Sequence, residues 1–192
     1  MGGEVELLVK AIVCVTGMPG SGKTLIAKFL SNSLGAYVNM GDVVRSKAAE
    51  LGIEPTSDNL MRLAVELRKS LGLDAVAREA AKNFPNSSEV VVVDGVRSLD
   101  EVRFFSSIAH TVVVAVHASP KTRYERLRKR GREDDPTAFS KFLDRDSKEL
   151  ELGIGSVIAL ADVMVVNEDR DARDVCLEAL KRVREALGSV LT

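Results

Sequence analysis

The sequence predicts an α/β fold in which short buried strands alternate with helices around a phosphate-binding loop. Three observations predict it. Residues 17–24, Gly17-Met18-Pro19-Gly20-Ser21-Gly22-Lys23-Thr24, fit G-x-x-x-x-G-K-[ST] at every fixed position. The run before them, Ala11-Ile12-Val13-Cys14-Val15, is short and β-branched like a buried parallel strand, and Leu25, Ile26, Phe29 and Leu30 after them recur at helical spacing. At 192 residues the chain suits one α/β domain with a full core and is short for two.

The spelling of the loop follows from its chemistry. Gly17, Gly20 and Gly22 let the backbone fold back so that successive N–H groups converge on a phosphate, and the helix beginning near Gly22 adds its positive end. Lys23 is expected to reach the β- and γ-phosphates of ATP or GTP, with the Thr24 hydroxyl on Mg²⁺. A glycine-rich turn that merely joined a strand to a helix would not require Lys23 and Thr24 after the last glycine.

Composition narrows the class. A hydrophobic fraction of 45% with 29% charged residues is that of a soluble globular protein, and no apolar run approaches bilayer length. Met1-Gly2-Gly3-Glu4 lacks the basic start of a signal peptide, so a cytoplasmic protein without a membrane partner is expected. The net charge of −1 lacks the footprint of a nucleic-acid-binding domain. Cys14 in the first strand and Cys176 in the last helix show no metal spacing and are expected to be packing residues.

After the first helix, Gly35 marks a stop and Ala36-Tyr37-Val38-Asn39-Met40 reads as a second strand. At its carboxyl end, where open α/β sheets keep their ligands, stands Gly41-Asp42-Val43-Val44-Arg45, leading into a helix through about Leu51. Asp42 either caps that helix or faces a second substrate, and Arg45 three residues on can share its face. Beyond Pro55, Thr56 and Ser57 are possible caps for a helix from about Asp58 to Ser70, followed by another from Asp74 to about Asn83. Arg62, Arg68, Lys69 and Arg78 on these helices read mostly as solvated charges. An all-helical insertion here, about residues 41–84, suits an acceptor-binding flap.

Glu89 to Gly95 is the clearest core strand, and its Asp94 emerges beside the phosphate loop, where it can bind Mg²⁺ directly or through water. Ser98 and Glu101 form a capping box that leaves Arg97 at the site-facing tip. Thr111 to His117 is a fourth strand. Pro120 starts a helix within a stretch, Lys121 to Asp135, of seven basic against four acidic residues. Such a run can be a solvated face or a nucleic-acid patch. Beside a phosphate loop the sharper reading is a lid, about residues 126–150, whose Arg126 and Arg130 lie one turn apart and neutralise a transferring phosphoryl group. Its tip falls at residues 131–136, and the helix Thr137 to Leu152 returns Arg145 toward the site. After a short helix from Ile154 to Leu160, Ala161 to Asn167 reads as the last strand, with Asn167-Glu168-Asp169 as the loop expected to meet the nucleotide base. Asp171 to about Leu187 closes the chain as an amphipathic helix.

This order of motifs resembles the P-loop kinases of the nucleoside-monophosphate kinase superfamily over nearly the whole chain. Gly41-Asp42-Val43-Val44-Arg45 matches the Gly-Asp-x-x-Arg segment of the adenylate kinases, which implies that Arg45 grips the acceptor's phosphate. Asp94-Gly95-Val96-Arg97 is similar to their Asp-Gly-x-Pro-Arg, one residue shorter and without the proline. Ala161-Asp162-Val163-Met164-Val165-Val166-Asn167 resembles a strand of the dephospho-coenzyme A kinases, although their phosphate loops usually lack Met18-Pro19. With Leu152-Gly153-Ile154-Gly155 added, the chain looks like an archaeal group described as adenylate-kinase-related or dephospho-coenzyme A kinase-like. The resemblance implies a P-loop NTPase three-layer sandwich with a five-stranded parallel sheet, flap and lid.

The expected activity is transfer of the γ-phosphoryl group of ATP, with Mg²⁺, to a small acceptor between Asp42, Arg45 and Arg97. A nucleoside monophosphate is favoured over dephospho-coenzyme A. Asp42 divides the two, since a hydroxyl acceptor benefits from a carboxylate that takes its proton and a phosphate acceptor does not. A rival of another class is an ATPase that acts as an assembly or regulatory factor.

Overall fold

Runs of valine dictate the sheet, because a β-branched side chain packs well on a pleated surface and a strand covered on both faces must be apolar throughout. The computed structural model describes residues 8–131 and 135–191. Met1 to Glu4, and Arg132 to Asp134 of the expected lid tip, lie outside the described residues. The strands are β1 (Ala11–Thr16), β2 (Ala36–Asn39), β3 (Val90–Asp94), β4 (His110–His117) and β5 (Val163–Val166). They form one parallel sheet in the order β2-β3-β1-β4-β5. Every residue of β1 and β3 is buried.

The two sheet faces separate with the period of two that a strand imposes. Ile12, Cys14, Val91, Val93 and Val113 pack on one side with α2 (Met40–Glu50), α4 (Ala75–Ala81), α5 (Leu99–Ile108) and α8 (Ile154–Ala159). Their neighbours Val13, Val15, Val92, Val114 and Val165 pack on the other, beneath α1 (Lys23–Leu34) and α9 (Ala172–Leu187). Each valine so covered contributes about 1.5–3 kcal/mol relative to exposure. The remaining helices are α3 (Ser57–Leu71), α6 (Pro120–Arg130) and α7 (Phe139–Glu151), with a 3₁₀ turn at Gly188–Leu191. Among the described residues no helix is long and apolar enough to cross a membrane. Cys14 and Cys176 are buried free thiols.

This topology creates the site. From β1 the chain crosses by α1 to β2 on one side, whereas from β3 it crosses by α5 to β4 on the other. The connections therefore part between β1 and β3, and such a switch point leaves a crevice at the carboxyl ends. Val15 there stands opposite Asp94.

Local chemistry sets the ends of elements. Asn39, and not Asp42, caps α2, since its side chain accepts from the N–H groups of Gly41 and Asp42, and Met40 opens the helix instead of ending the strand. Thr56 caps α3 by accepting from Asn59 N, and the Ser98–Glu101 capping box is formed in full. The last strand begins at Val163, two residues later than the sequence pattern suggests. Asp162 Oδ2 accepts from Val113 N at 2.7 Å, so a side chain takes the place of a ladder carbonyl.

Candidate functional site

The phosphate loop leaves β1 at Gly17 and enters α1 at Lys23. Gly20 and Gly22 have φ of 83° and 94°, the left-handed region that side chains rarely adopt. A Cβ on Gly20 would stand 2.7 Å from Arg123 O, and one on Gly22 would run into Asn167 Nδ2. The glycines are thus required by the two segments that close on the loop, α6 and the turn after β5.

Lys23 lies half-buried at the positive end of α1. Burial pushes its ammonium below the usual lysine range, and the Arg97 guanidinium adds to that, opposed by Asp94 and Glu149. An anion bound at the loop would relieve this unfavourable charge.

Asp94 is 1% exposed at the end of β3. Its Oδ2 accepts from Tyr37 Oη at 2.9 Å and Asn39 Nδ2 at 3.2 Å, while its buried Oδ1 has no hydrogen-bond partner. Burial and the neighbouring Asp94 charge keep the Tyr37 phenol protonated and donating. An orphaned carboxylate oxygen beside a phosphate loop fits a hydrated Mg²⁺, which keeps most of its waters and takes only one or two protein ligands. Thr24, exposed in the first turn of α1, supplies the hydroxyl such an ion uses.

Arg126 and Arg130 project from α6 over a pocket lined also by Gly20, Gly22, Lys23 and Thr24. Arg126 Nη1 reaches Ser21 O at 3.5 Å, the long limit of a hydrogen bond. Arg130 makes two bonds to Asp135, at 2.9 and 2.5 Å, and Arg145 Nη1 lies 3.7 Å from the same carboxylate. The loop after β5 is turned inward onto the protein. Asn167 donates to Ser21 O at 2.8 Å, and Glu168 accepts from the backbone and hydroxyl of Ser119 and from Thr122 Oγ1, so its carboxylate anchors the start of α6.

A second cavity, of about 110 Å³, opens between α2, α3 and α7 and is lined by Arg45, Arg68, Arg97, Arg145 and Glu149 with apolar Val44, Leu60 and Leu152. Arg97 Nε donates to Glu149 Oε2 at 2.7 Å and its Nη1 to Gly95 O at 3.1 Å. Burial alone would raise the Glu149 carboxyl, but the Arg97 charge and hydrogen bond hold it below the ordinary carboxylate range. The structure therefore brings Arg45 and Arg97 together, with Arg145 beside them. It does not bring Asp42 into that cavity. Asp42 sits on the exposed flank of α2, where its Oδ1 accepts from Arg45 Nε at 3.1 Å, beside a separate depression with Tyr37, Asn39 and Lys47.

Three functional candidates escape sequence reasoning. Glu149 carries only helical spacing as a signal. Arg68 belongs to the charges expected to be solvated, yet it is 7% exposed, bonded to the fully buried Glu101 at 2.5 Å and part of the cavity wall. Arg123 is indistinguishable in sequence from the other cations of α6, but it is buried against Pro19 O and Asp146 and stacks over Phe142.

A phosphate loop after the central strand of a parallel sheet, with arginine-lined cavities on both sides, defines a P-loop kinase-like protein. Solved structures share that fold. A shikimate kinase from Bacteroides thetaiotaomicron superposes with a TM-score of 0.58 over 92% of this chain and 98% of its own, at 16% identity. A gluconokinase from Sinorhizobium meliloti 1021 gives 0.53 over 95% and 97%, at 19% identity. A family model described as AAA domain matches residues 13–152. A UPF0200 protein of Hyperthermus butylicus is 53% identical over 162 residues, covering 83% of this chain and 86% of the relative. Another, from Methanocaldococcus jannaschii, is 40% identical over 179 residues, covering 92% and 90%. The chain belongs to the UPF0200 family of AAA-domain proteins.

Proposed function

We propose that this protein is a cytoplasmic phosphotransferase that moves the γ-phosphoryl group of ATP to a small acceptor bearing an anionic group. The position of Lys23 carries the proposal. On one side it lines the pocket beneath Arg126 and Arg130, and on the other its charge is coupled to Arg97, Glu149 and Arg145 of the second cavity. A donor and an acceptor would meet there, and phosphoryl transfer is mostly positioning and charge stabilisation.

In this reading residues 17–24 cradle the ATP phosphates, Asn167 fixes the loop, and Thr24 and Asp94 hold Mg²⁺. When bound, the ion supplies charge neutralisation at the phosphates. Arg126 and Arg130 stabilise the transferring charge, and Arg45 and Arg97 grip the acceptor's anion. Residues 41–84 act as the flap and 126–150 as the lid. The Gly41 to Arg45 resemblance supports a nucleoside monophosphate as acceptor and the Ala161 to Asn167 resemblance supports dephospho-coenzyme A. Either would place an anionic group on Arg45 and Arg97.

The test is ADP release by pure protein with Mg²⁺ and ATP in the presence of nucleoside monophosphates, dephospho-coenzyme A or small hydroxy acids. Turnover is expected to rise at least 100-fold with one acceptor class and to vanish in Lys23→Ala. ATP turnover indifferent to every small molecule and stimulated by protein or RNA would replace this reading with that of an assembly factor.

A further inference from the structure

We infer that the acceptor is a small anion with a free hydroxyl, and that Glu149 rather than Asp42 receives the hydroxyl proton. The inference rests on the kinase reading above. Location is the first argument. The Glu149 side chain is 3% exposed and lines the same cavity as Arg45, Arg97 and Arg145, whereas that of Asp42 is 66% exposed, lies outside the cavity and is paired with Arg45.

Charge is the second. A buried carboxylate can accept a hydrogen bond from an alcohol, whereas an ionised reacting phosphate has no proton to give it. Oε2 takes Arg97 Nε, and a carboxylate has about four lone-pair sites, so capacity remains for a second donor. The groups around Glu149 are Arg97 from the loop after β3, Lys23 from α1 and Arg145 from its own helix, with Arg45 and Arg68 in the same cavity wall. All are cations, which keep the carboxylate ionised and ready to accept.

Lining is the third. Val44, Leu60 and Leu152 add apolar wall to a cavity that also holds four arginines and Glu149, which suits a short carbon body carrying an anion.

In the reaction the acceptor oxygen forms a bond to the γ-phosphorus as the bond from that phosphorus to the β,γ-bridging oxygen breaks. The broken bond's electron pair leaves with ADP, and the hydroxyl proton passes to the Glu149 carboxylate and then to solvent. Late in such a transfer the acceptor oxygen becomes strongly acidic, so a weak base suffices.

The experiment uses the full chain with Mg²⁺ and ATP, and D-glycerate, D-gluconate and glycerol 3-phosphate as hydroxyl probes against AMP, CMP, GMP and UMP. ATP binding is read separately by calorimetry. Turnover is expected with at least one hydroxyl probe and with no monophosphate. Glu149→Gln should lower kcat at least 100-fold with ATP affinity within threefold of the native protein, and Glu149→Asp, which retains the charge, should keep at least a tenth of the rate. Absence of ATP binding would remove the kinase reading itself. ATP binding with transfer to a monophosphate, or with no hydroxyl probe turned over, overturns the acceptor class alone. A Gln variant that raises only the acceptor KM, or an equal loss of kcat in Asp42→Asn, overturns the assignment of the proton to Glu149.

Discussion

Arg123 on α6 and Asp146 on α7 share two hydrogen bonds, Nη1 to Oδ1 at 2.8 Å and Nη2 to Oδ2 at 2.5 Å, with the arginine 5% and the aspartate 14% exposed. The same Nη1 donates to Pro19 O at 3.1 Å, so one guanidinium ties the phosphate loop to both helices. Bidentate pairs of this kind fix geometry as well as charge. Asp146→Ala leaves the guanidinium buried without its counter-charge, a change that costs about 3–5 kcal/mol. At about 2–4 °C per kcal/mol for a chain of this size, Tm should fall by roughly 6–20 °C. ATP affinity should fall with it as Pro19 loses its anchor. Calorimetric unfolding with and without ATP measures both, and an unchanged Tm would show that water, not Asp146, solvates Arg123.

Lys23 should give nucleotide binding an early alkaline limb. Its folded-state pKa lies below the ordinary lysine value of about 10.4, chiefly through burial and then through Arg97. The free folded protein therefore binds this proton less readily than the unfolded chain, and its stability gains as pH rises through that window. Binding of ATP works in the opposite sense, because the phosphates attract the charged form. ATP affinity should thus decline with rising pH well before an unperturbed lysine would deprotonate. In Lys23→Met that decline should be absent. Calorimetric titrations at fixed Mg²⁺ over the alkaline range decide it, and an equal slope in both proteins would remove Lys23 from the phosphate contact.

The fold and the geometry of the glycine-rich loop were legible because their signals are local. A valine run ending in Asp94, or glycines ahead of Lys23 and Thr24, reports its place in the fold within a few residues. The lining of the second cavity depends on which face of a helix meets which other helix. Asp42 and Arg45 have a spacing that permits either a shared cavity or an exposed pair, and the structure splits them, with Asp42 on the exposed flank of α2 and Arg45 reaching both that carboxylate and the cavity wall. Glu149 and Arg97 stand 52 residues apart and meet only because α7 brings its carboxylate to the loop after β3. Arg68 reads as one more surface cation until Glu101, 33 residues on, is seen to be fully buried beside it.

Asp94→Asn should separate a structural from an ionic role. The carboxylate accepts from Tyr37 and Asn39 through one oxygen, and an amide oxygen can accept the same two bonds. The fold should persist with a Tm change of a few degrees. The orphaned Oδ1 becomes an NH₂ group, which cannot face a cation. Stimulation of ATP binding by Mg²⁺ should therefore drop at least tenfold, while ATP binding without Mg²⁺ is preserved or improved by the lost negative charge. Equal Mg²⁺ stimulation in both proteins would exclude Asp94 from the ion's surroundings.

Gly22 and Asn167 should be energetically coupled. An alanine at position 22 meets two costs, roughly 1–2 kcal/mol for the left-handed backbone and a collision of its Cβ with Asn167 Nδ2. Removing the amide in Asn167→Ala abolishes the collision but leaves Ser21 O without its 2.8 Å donor, at a cost of about 1–3 kcal/mol if no water replaces it. Gly22→Ala should then be less damaging in the Asn167→Ala background than in the native protein, with an interaction energy of about 1 kcal/mol or more by denaturant unfolding. Sites without shared partners add within about 0.3–0.5 kcal/mol. Additivity at that level would mean that the loop can move away from Asn167, and that the backbone conformation alone reserves position 22 for glycine. Coupling would instead make the turn after β5 a fixed wall of the phosphate site. The loop's shape would then be held by a side chain 145 residues downstream of Gly22 as much as by the loop's own glycines.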